Sequence, residues 1–221
     1  MKTILSILCS KKIKNSLILI FLLFLYVSIS AFSYVNAVSH NIEESVFRLH
    51  VIANSNSKED QDLKYKVRDS LISYMNSLCK DVKSKEEAIE LAKLHVNDFE
   101  QIATNTILEN GFSYSVNVEI GNFSFPTKDY GDVSLPAGFY DALRVKIGEA
   151  NGQNWWCVMF PPLCFVNVSS GIVPDESKEL MKDNLNDEEY SIITKEDSSE
   201  IKFKIGLIEW FMNHDLLTAK K

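Results

Sequence analysis

The chain has 221 residues and a formal net charge of −7, from 23 Lys and Arg against 30 Asp and Glu. That length suits one ordinary domain with an appendage. Hydrophobic residues at 46% and charged residues at 24% exclude a wholly disordered chain, four cysteines are too few for a disulfide-built miniprotein, and the acidic balance argues against general nucleic-acid binding, which leans on basic patches.

Lys2, Lys11, Lys12 and Lys14 are the whole charge of residues 1–37, so the remainder holds 19 basic and 30 acidic residues, net −11. No charged residue stands between Lys14 and Glu43, and Ser16 to Ala37 reads SLILIFLLFLYVSISAFSYVNA. A positive stretch, an apolar run and small residues at Val35-Asn36-Ala37 form the signal-peptide pattern, with Ala37 at the cleavage point. A bilayer takes about 20 apolar residues to cross, so an uncleaved single-span anchor is the equal alternative. In both readings the lysines stay cytoplasmic and the residues beyond the apolar run are translocated. The chain thus divides into a signal or anchor at 1–37 and one exported domain at 38–221. Within the domain we expect a core at about 45–170, an acidic variable stretch at 174–199 and a closing strand and helix at 200–217.

Ser45 to Ala53 alternates: Phe47, Leu49 and Val51 share one face, Val46, Arg48 and His50 the other, which predicts a half-buried strand. Ser57 is an N-cap, followed by Glu59, Asp60 and Asp62 where the helix dipole favours acids. Leu63, Val67, Leu71, Tyr74 and Leu78 then mark an amphipathic helix to about Lys80. Ser84-Lys85-Glu86-Glu87 fits a capping box, and a second amphipathic helix runs through Ala88, Leu91, His95, Phe99, Ala103 and Ile107 to Gly111, a C′ residue that takes positive φ. His95 on that stripe reads as a partly buried histidine.

Beyond Gly111 the period changes to two. Tyr114 to Ile120 alternates, Gly121-Asn122 resembles a turn, Phe123 and Phe125 begin another run, and residues 128–138 form a Gly/Pro loop. Phe139 to Ile147 alternates again, Glu149 to Gly152 turns, and WWCVMF (Trp155 to Phe160) reads as a buried strand. The expected class is α+β, with an antiparallel sheet packed on two amphipathic helices. Pro174 to Tyr190 reads as a short helix and loop. Ile201, Phe203 and Ile205 suggest a last strand, and residues 208–217 a closing helix.

Catalytic signatures are missing: there is no HExxH, no CxxC pair and no GxSxG elbow. The four histidines cannot be gathered into a metal site from their spacing, and no cofactor or metal is expected. The outstanding segment is NWWCVMFPPLCF, Asn154 to Phe165. Adjacent tryptophans on a strand point to opposite faces, so one of Trp155 and Trp156 can anchor a partner as tryptophan does at interface hot spots. Pro161 and Pro162 stiffen the bend. Arg48, on the strand face of His50, is counted with them as a contact residue. Cys157 and Cys164 flank the bend and either form a disulfide or remain two small buried hydrophobes. A sharper alternative is a cysteine-dependent hydrolase of cell-wall peptides, with Cys157 as nucleophile and His50 as base.

RLHVIANSNSKEDQDLKYKVRD (Arg48 to Asp69), FPTKDYGDVSLPAGFYDALRVKIGEANGQNWWCVMFPPLCFVN (Phe125 to Asn167) and IKFKI near the end resemble the stage II sporulation protein R family, over about Phe47 to Trp210. The resemblance implies a non-enzymatic signal, made in the forespore and exported to the space between forespore and mother cell. Its implied partner is a membrane-embedded aspartic protease in the mother-cell membrane, which then processes the mother-cell sigma factor precursor. No catalytic residue is carried over. Membrane contact is expected through residues 16–37 if they are not cleaved, and no nucleic acid is expected as a partner.

Overall fold

The structure, a computed structural model, describes residues 11–163 and 173–194. It opens on α1 (Lys11–Ser45), a helix of 35 residues, about 50 Å long at 1.5 Å per residue. Residues 17–29 of α1 are exposed and almost wholly apolar, a surface suited to lipid rather than water. Its last turns behave differently. Val35, Val38 and Ile42 recur at helical spacing and are buried with Val46. The boundary expected after Ala37 therefore falls inside α1, between turns that pack on the domain. Cleavage there would remove Val35 and leave Val38 and Ile42 in place.

β1 (Phe47–Ile52) follows, then α2 (Lys58–Leu78), capped by the Ser57 hydroxyl, which accepts from the Asp60 amide at 3.2 Å. The expected second amphipathic helix is in fact two: α3 (Lys85–Leu94) and α4 (Val96–Glu109). His95 sits between them in non-helical geometry, and its Nδ1 lies 2.6 Å from Asp98 Oδ2 and 3.0 Å from Tyr74 Oη. An apolar stripe reports which face is buried, and it continues across a backbone break without registering it. Ser84 accepts from the Glu87 amide at 3.2 Å, but the Glu87 carboxylate turns to the Lys83 amide at 3.5 Å, so only half of the expected capping box forms. Gly111 has φ +83°, as its place beyond the helix requires.

β2 runs unbroken from Val116 to Phe125 and pairs along its whole length with β5 (Gly138–Ile147). No turn forms at Gly121-Asn122. Gly121 instead leaves room for the Phe123 ring, whose Cζ would stand 3.1 Å from an added Cβ. Between them the expected loop folds into a ribbon of β3 (Lys128–Tyr130) and β4 (Val133–Leu135). β6 (Asn154–Phe160) closes the described sheet. α5 (Asp175–Asn184) and α6 (Asp187–Ile193) occupy the acidic stretch. The expected strand at 201–205 and helix at 208–217 lie outside the described residues.

The α+β class stands, but the sheet is mixed. Its order is β2-β5-β1-β6: β1 lies between β5 and β6, parallel to the first and antiparallel to the second. The consecutive meander expected from residues 111–160 is therefore interrupted by a strand from the other end of the domain. One sheet face, with Leu49, Val51, Leu143, Val145 and Cys157, packs on α2, α3 and α4. The opposite face, with Ala142, Tyr140, Phe125 and Val158, packs under the end of α1, the ribbon, α5 and α6. Gly138 has no space for a Cβ beside the Glu43 carboxylate of α1. The Tyr34 hydroxyl donates to Glu188 at 2.6 Å, and the Asn41 amide donates to Glu189. Three helices thus cover one face, and the described apolar leader helps to cover the other.

Candidate partner-binding edge

β6 is an edge of the sheet among the described residues. Strand alternation sends its adjacent tryptophans to opposite faces, as expected. Both are half-buried, neither wholly core nor wholly exposed. Trp155 meets Tyr65 edge-on at 5.3 Å, with the Arg68 guanidinium 4.4 Å from the indole centre. Trp156 stacks on His50 at 5.6 Å, with the Lys128 ammonium 4.7 Å from its ring. Each indole thus carries a cation on its π-face. Both indole Nε1 atoms are buried and have no hydrogen-bond partner among the described residues.

These groups line one cleft of ≈ 630 Å³, bounded by α2, β6 and the ribbon. Lys64 reaches it from α2. Its ammonium donates to Gln61 Oε1 at 2.6 Å and to the Gln153 carbonyl at 3.2 Å, both neutral oxygens. Burial, then the neighbouring Arg68, pulls the Lys64 pKa below its ordinary value. On the ribbon, the Tyr130 hydroxyl donates weakly to the Trp156 carbonyl at 3.4 Å, and burial, partly offset by Arg48, raises its pKa.

Arg48, expected among the contact residues, is fully buried and meets no solvent. Its guanidinium lies 4.1 Å from the Phe125 ring centre and 4.6 Å from that of Tyr140. Its Nη2 donates to Tyr130 Oη at 2.7 Å, whereas Nε and Nη1 have no partner among the described residues. Arg48 therefore positions the ribbon and, through Tyr130, one wall of the cleft. Pro161 is buried and Pro162 partly exposed; the Pro162 carbonyl accepts from Ser177 at 2.8 Å, which ties the bend to α5.

The hydrolase arrangement is not assembled. Cys157 pairs with Leu49 and faces the α2–α4 side, whereas His50 pairs with Trp156 and faces the other. The sheet separates the two side chains, and Cys157 is disulfide-bonded, so it supplies no thiolate. Its proposed partner Cys164 lies outside the described residues. His50 Nε2 donates to Asn154 Oδ1 at 2.8 Å, and burial is the main cause that lowers its pKa. Cys79 is a free thiol whose pKa burial pushes up to about 11, the profile of an unreactive cysteine. Among the described residues no group of three His, Cys, Asp or Glu side chains is placed to hold a metal ion.

Sequence reasoning located the tryptophans but missed Lys64, Arg68 and Lys128. Their only local signal was two basic residues on a helix with equal numbers of acidic and basic side chains, and another in a loop. Nothing in either spacing places them beside β6.

These features define a class: an α+β domain joined to an apolar helix that fits a signal or anchor segment, with an aromatic, cation-rich sheet edge. Residues 43–170 match the family described as stage II sporulation protein R. The chain is also 36% identical over 183 residues to stage II sporulation protein R of Bacillus subtilis (strain 168), covering 76% of this chain and 81% of the relative. The chain belongs to the stage II sporulation protein R family. No solved structure matches it.

Proposed function

We propose that this protein is an exported signal of sporulation that activates a membrane-embedded aspartic protease by contact, leading to processing of the mother-cell sigma factor precursor. Family membership over residues 43–170 carries the reading. The apolar α1 supports export or anchoring by residues 16–37; that the route runs from the forespore into the intermembrane space is part of the proposal and follows from the family resemblance. Separation of Cys157 from His50 across the sheet speaks against the nucleophile–base pair that the sequence offered as an alternative. The half-exposed edge around Trp155, Trp156 and Pro162 supplies a contact surface. Activation by binding requires that the protein prefer the active state of its partner over the inactive one.

The test is co-expression of this chain with the protease and the sigma factor precursor in a non-sporulating host, followed by immunoblotting of the precursor. Processing that depends on this chain is the expected result. Equal processing with and without it overturns the proposal. Trp156→Ala should abolish processing while the domain stays folded by circular dichroism.

A further inference from the structure

The edge of β6 has the chemistry of an anion-reading peptide groove. The domain beyond residue 37 has net charge −11, yet this cleft gathers Lys64, Arg68 and Lys128. Asp129 is its one carboxylate among the described lining residues, and Asp129 already has a partner of its own. Lys64 is almost wholly buried; among the described residues its ammonium meets two neutral oxygens and the Tyr65 ring, and no carboxylate. Lys128 forms no ion pair among the described residues, and Arg68 pairs only with the exposed Asp69, at 2.7 Å. Trp155 and Trp156 line the same cleft, and their buried indole N–H donors have no acceptor among the described residues. Buried donors of this kind are ordinarily satisfied, and each unmet one costs about 1–3 kcal/mol in general. Three cations beside a single lining carboxylate favour an anionic ligand rich in oxygen.

The strand geometry specifies its shape. The Trp156 carbonyl turns away from β1 and receives only the 3.4 Å contact from Tyr130. In an antiparallel pair the amide and carbonyl of one residue point to the same side, so the Trp156 amide also faces the cleft. An added extended segment can satisfy both groups, as sheet-edge recognition does elsewhere. Side chains of that segment would alternate between faces. One would meet Trp155, Arg68 and Lys64, and the next would meet Trp156 and Lys128.

We propose that this cleft binds an extended acidic segment of the partner protein, added along β6, with carboxylates on adjacent residues seated against the two cation–indole pairs. The proposal deepens the contact reading above and rests on it. Arg48 is a positioning residue here, because it holds Tyr130 against the strand edge.

The test uses the full chain in mild detergent and fluorescein-labelled octapeptides of alternating valine and threonine around a central Asp-Glu pair. A matched peptide has Asn-Gln at the centre. By anisotropy, the acidic peptide should bind saturably and at least about tenfold more tightly than the amide peptide. Lys128→Glu and Arg68→Glu should each weaken it by about tenfold or more, the scale of a lost charge pair at an interface. Lys93→Glu, on exposed α3, should leave binding unchanged. Equal binding of both peptides, or indifference to Lys128→Glu, overturns the proposal. So does absence of peptide binding together with either Lys128-dependent capture by phosphatidylglycerol vesicles or Lys128-dependent self-association. In co-expression, undiminished processing by the Arg68→Glu, Lys128→Glu double variant overturns the cleft alone. If the wild-type chain drives no processing, the signalling reading fails and the peptide titration still decides the cleft.

Discussion

The packed end of α1 makes a sharp demand on stability. Ile42 is 0% exposed, within the cluster formed by Val38, Val46, Tyr140 and Ile193. Ile42→Ala deletes three carbons, worth about 2.4 kcal/mol at ~0.8 kcal/mol for each buried group. The cavity left behind adds to this, for a total of roughly 2–5 kcal/mol. For a domain of this size, that lowers the melting temperature by about 5–15 °C. The matched control is Ile20→Ala, which makes the same deletion where the side chain is 62% exposed; its expected effect is within about 0.5 kcal/mol. Thermal and urea melts of the full chain in mild detergent, monitored by tryptophan fluorescence, separate the two variants. Equal stability of Ile42→Ala and wild type would refute the packing of α1 on the sheet and place the start of the folded domain at β1.

Two further outcomes rest on titratable groups, His50 buried and Cys79 half-buried. His50 has its pKa depressed below 6.5, by burial first and then by nearby Arg144, Arg48 and Lys146, against the opposing bond to Asn154. The unfolded chain therefore binds the extra proton more readily, so stability should fall as pH drops below about 6.5. His50→Asn should flatten that part of the stability profile, and a slope parallel to wild type between about pH 5 and 7 contradicts the assignment. Cys79, with its thiol pKa pushed up to about 11 by burial and then by Glu87, should resist iodoacetamide at pH 8 until the protein is denatured. Rapid native labelling of the Cys79 peptide, read by mass spectrometry, would contradict the raised pKa.

Local pattern carried far in this chain. The alternation of Phe47, Leu49 and Val51 corresponds to one face of β1, although its other face is buried too and the strand is not half-buried as expected, and the Ser57 and Ser84 hydroxyls both cap their helices. These succeed because periodicity and capping are settled within one or two turns of sequence. The same locality explains the misses. A stripe of apolar residues passes through His95 whether or not the backbone bends there, and Gly121 reads as a turn when its use is to admit the Phe123 ring.

By itself, then, the sequence determined most of the helices and long strands, the apolar leader, the tryptophan pair and family membership, since each is written in contiguous residues, but not the β3–β4 ribbon or the break at His95. Tertiary structure decided what those elements do. Strand order depends on hydrogen bonds between distant segments, and it placed β1 between β5 and β6. That insertion put Cys157 and His50 on opposite faces of the sheet. Packing, which no single segment specifies, laid the end of α1 over one face. It also brought Lys64 and Arg68 from a helix and Lys128 from a ribbon to two indoles on an edge strand. Charges spaced about 60 residues apart along the chain become one site only when the backbone folds back on itself.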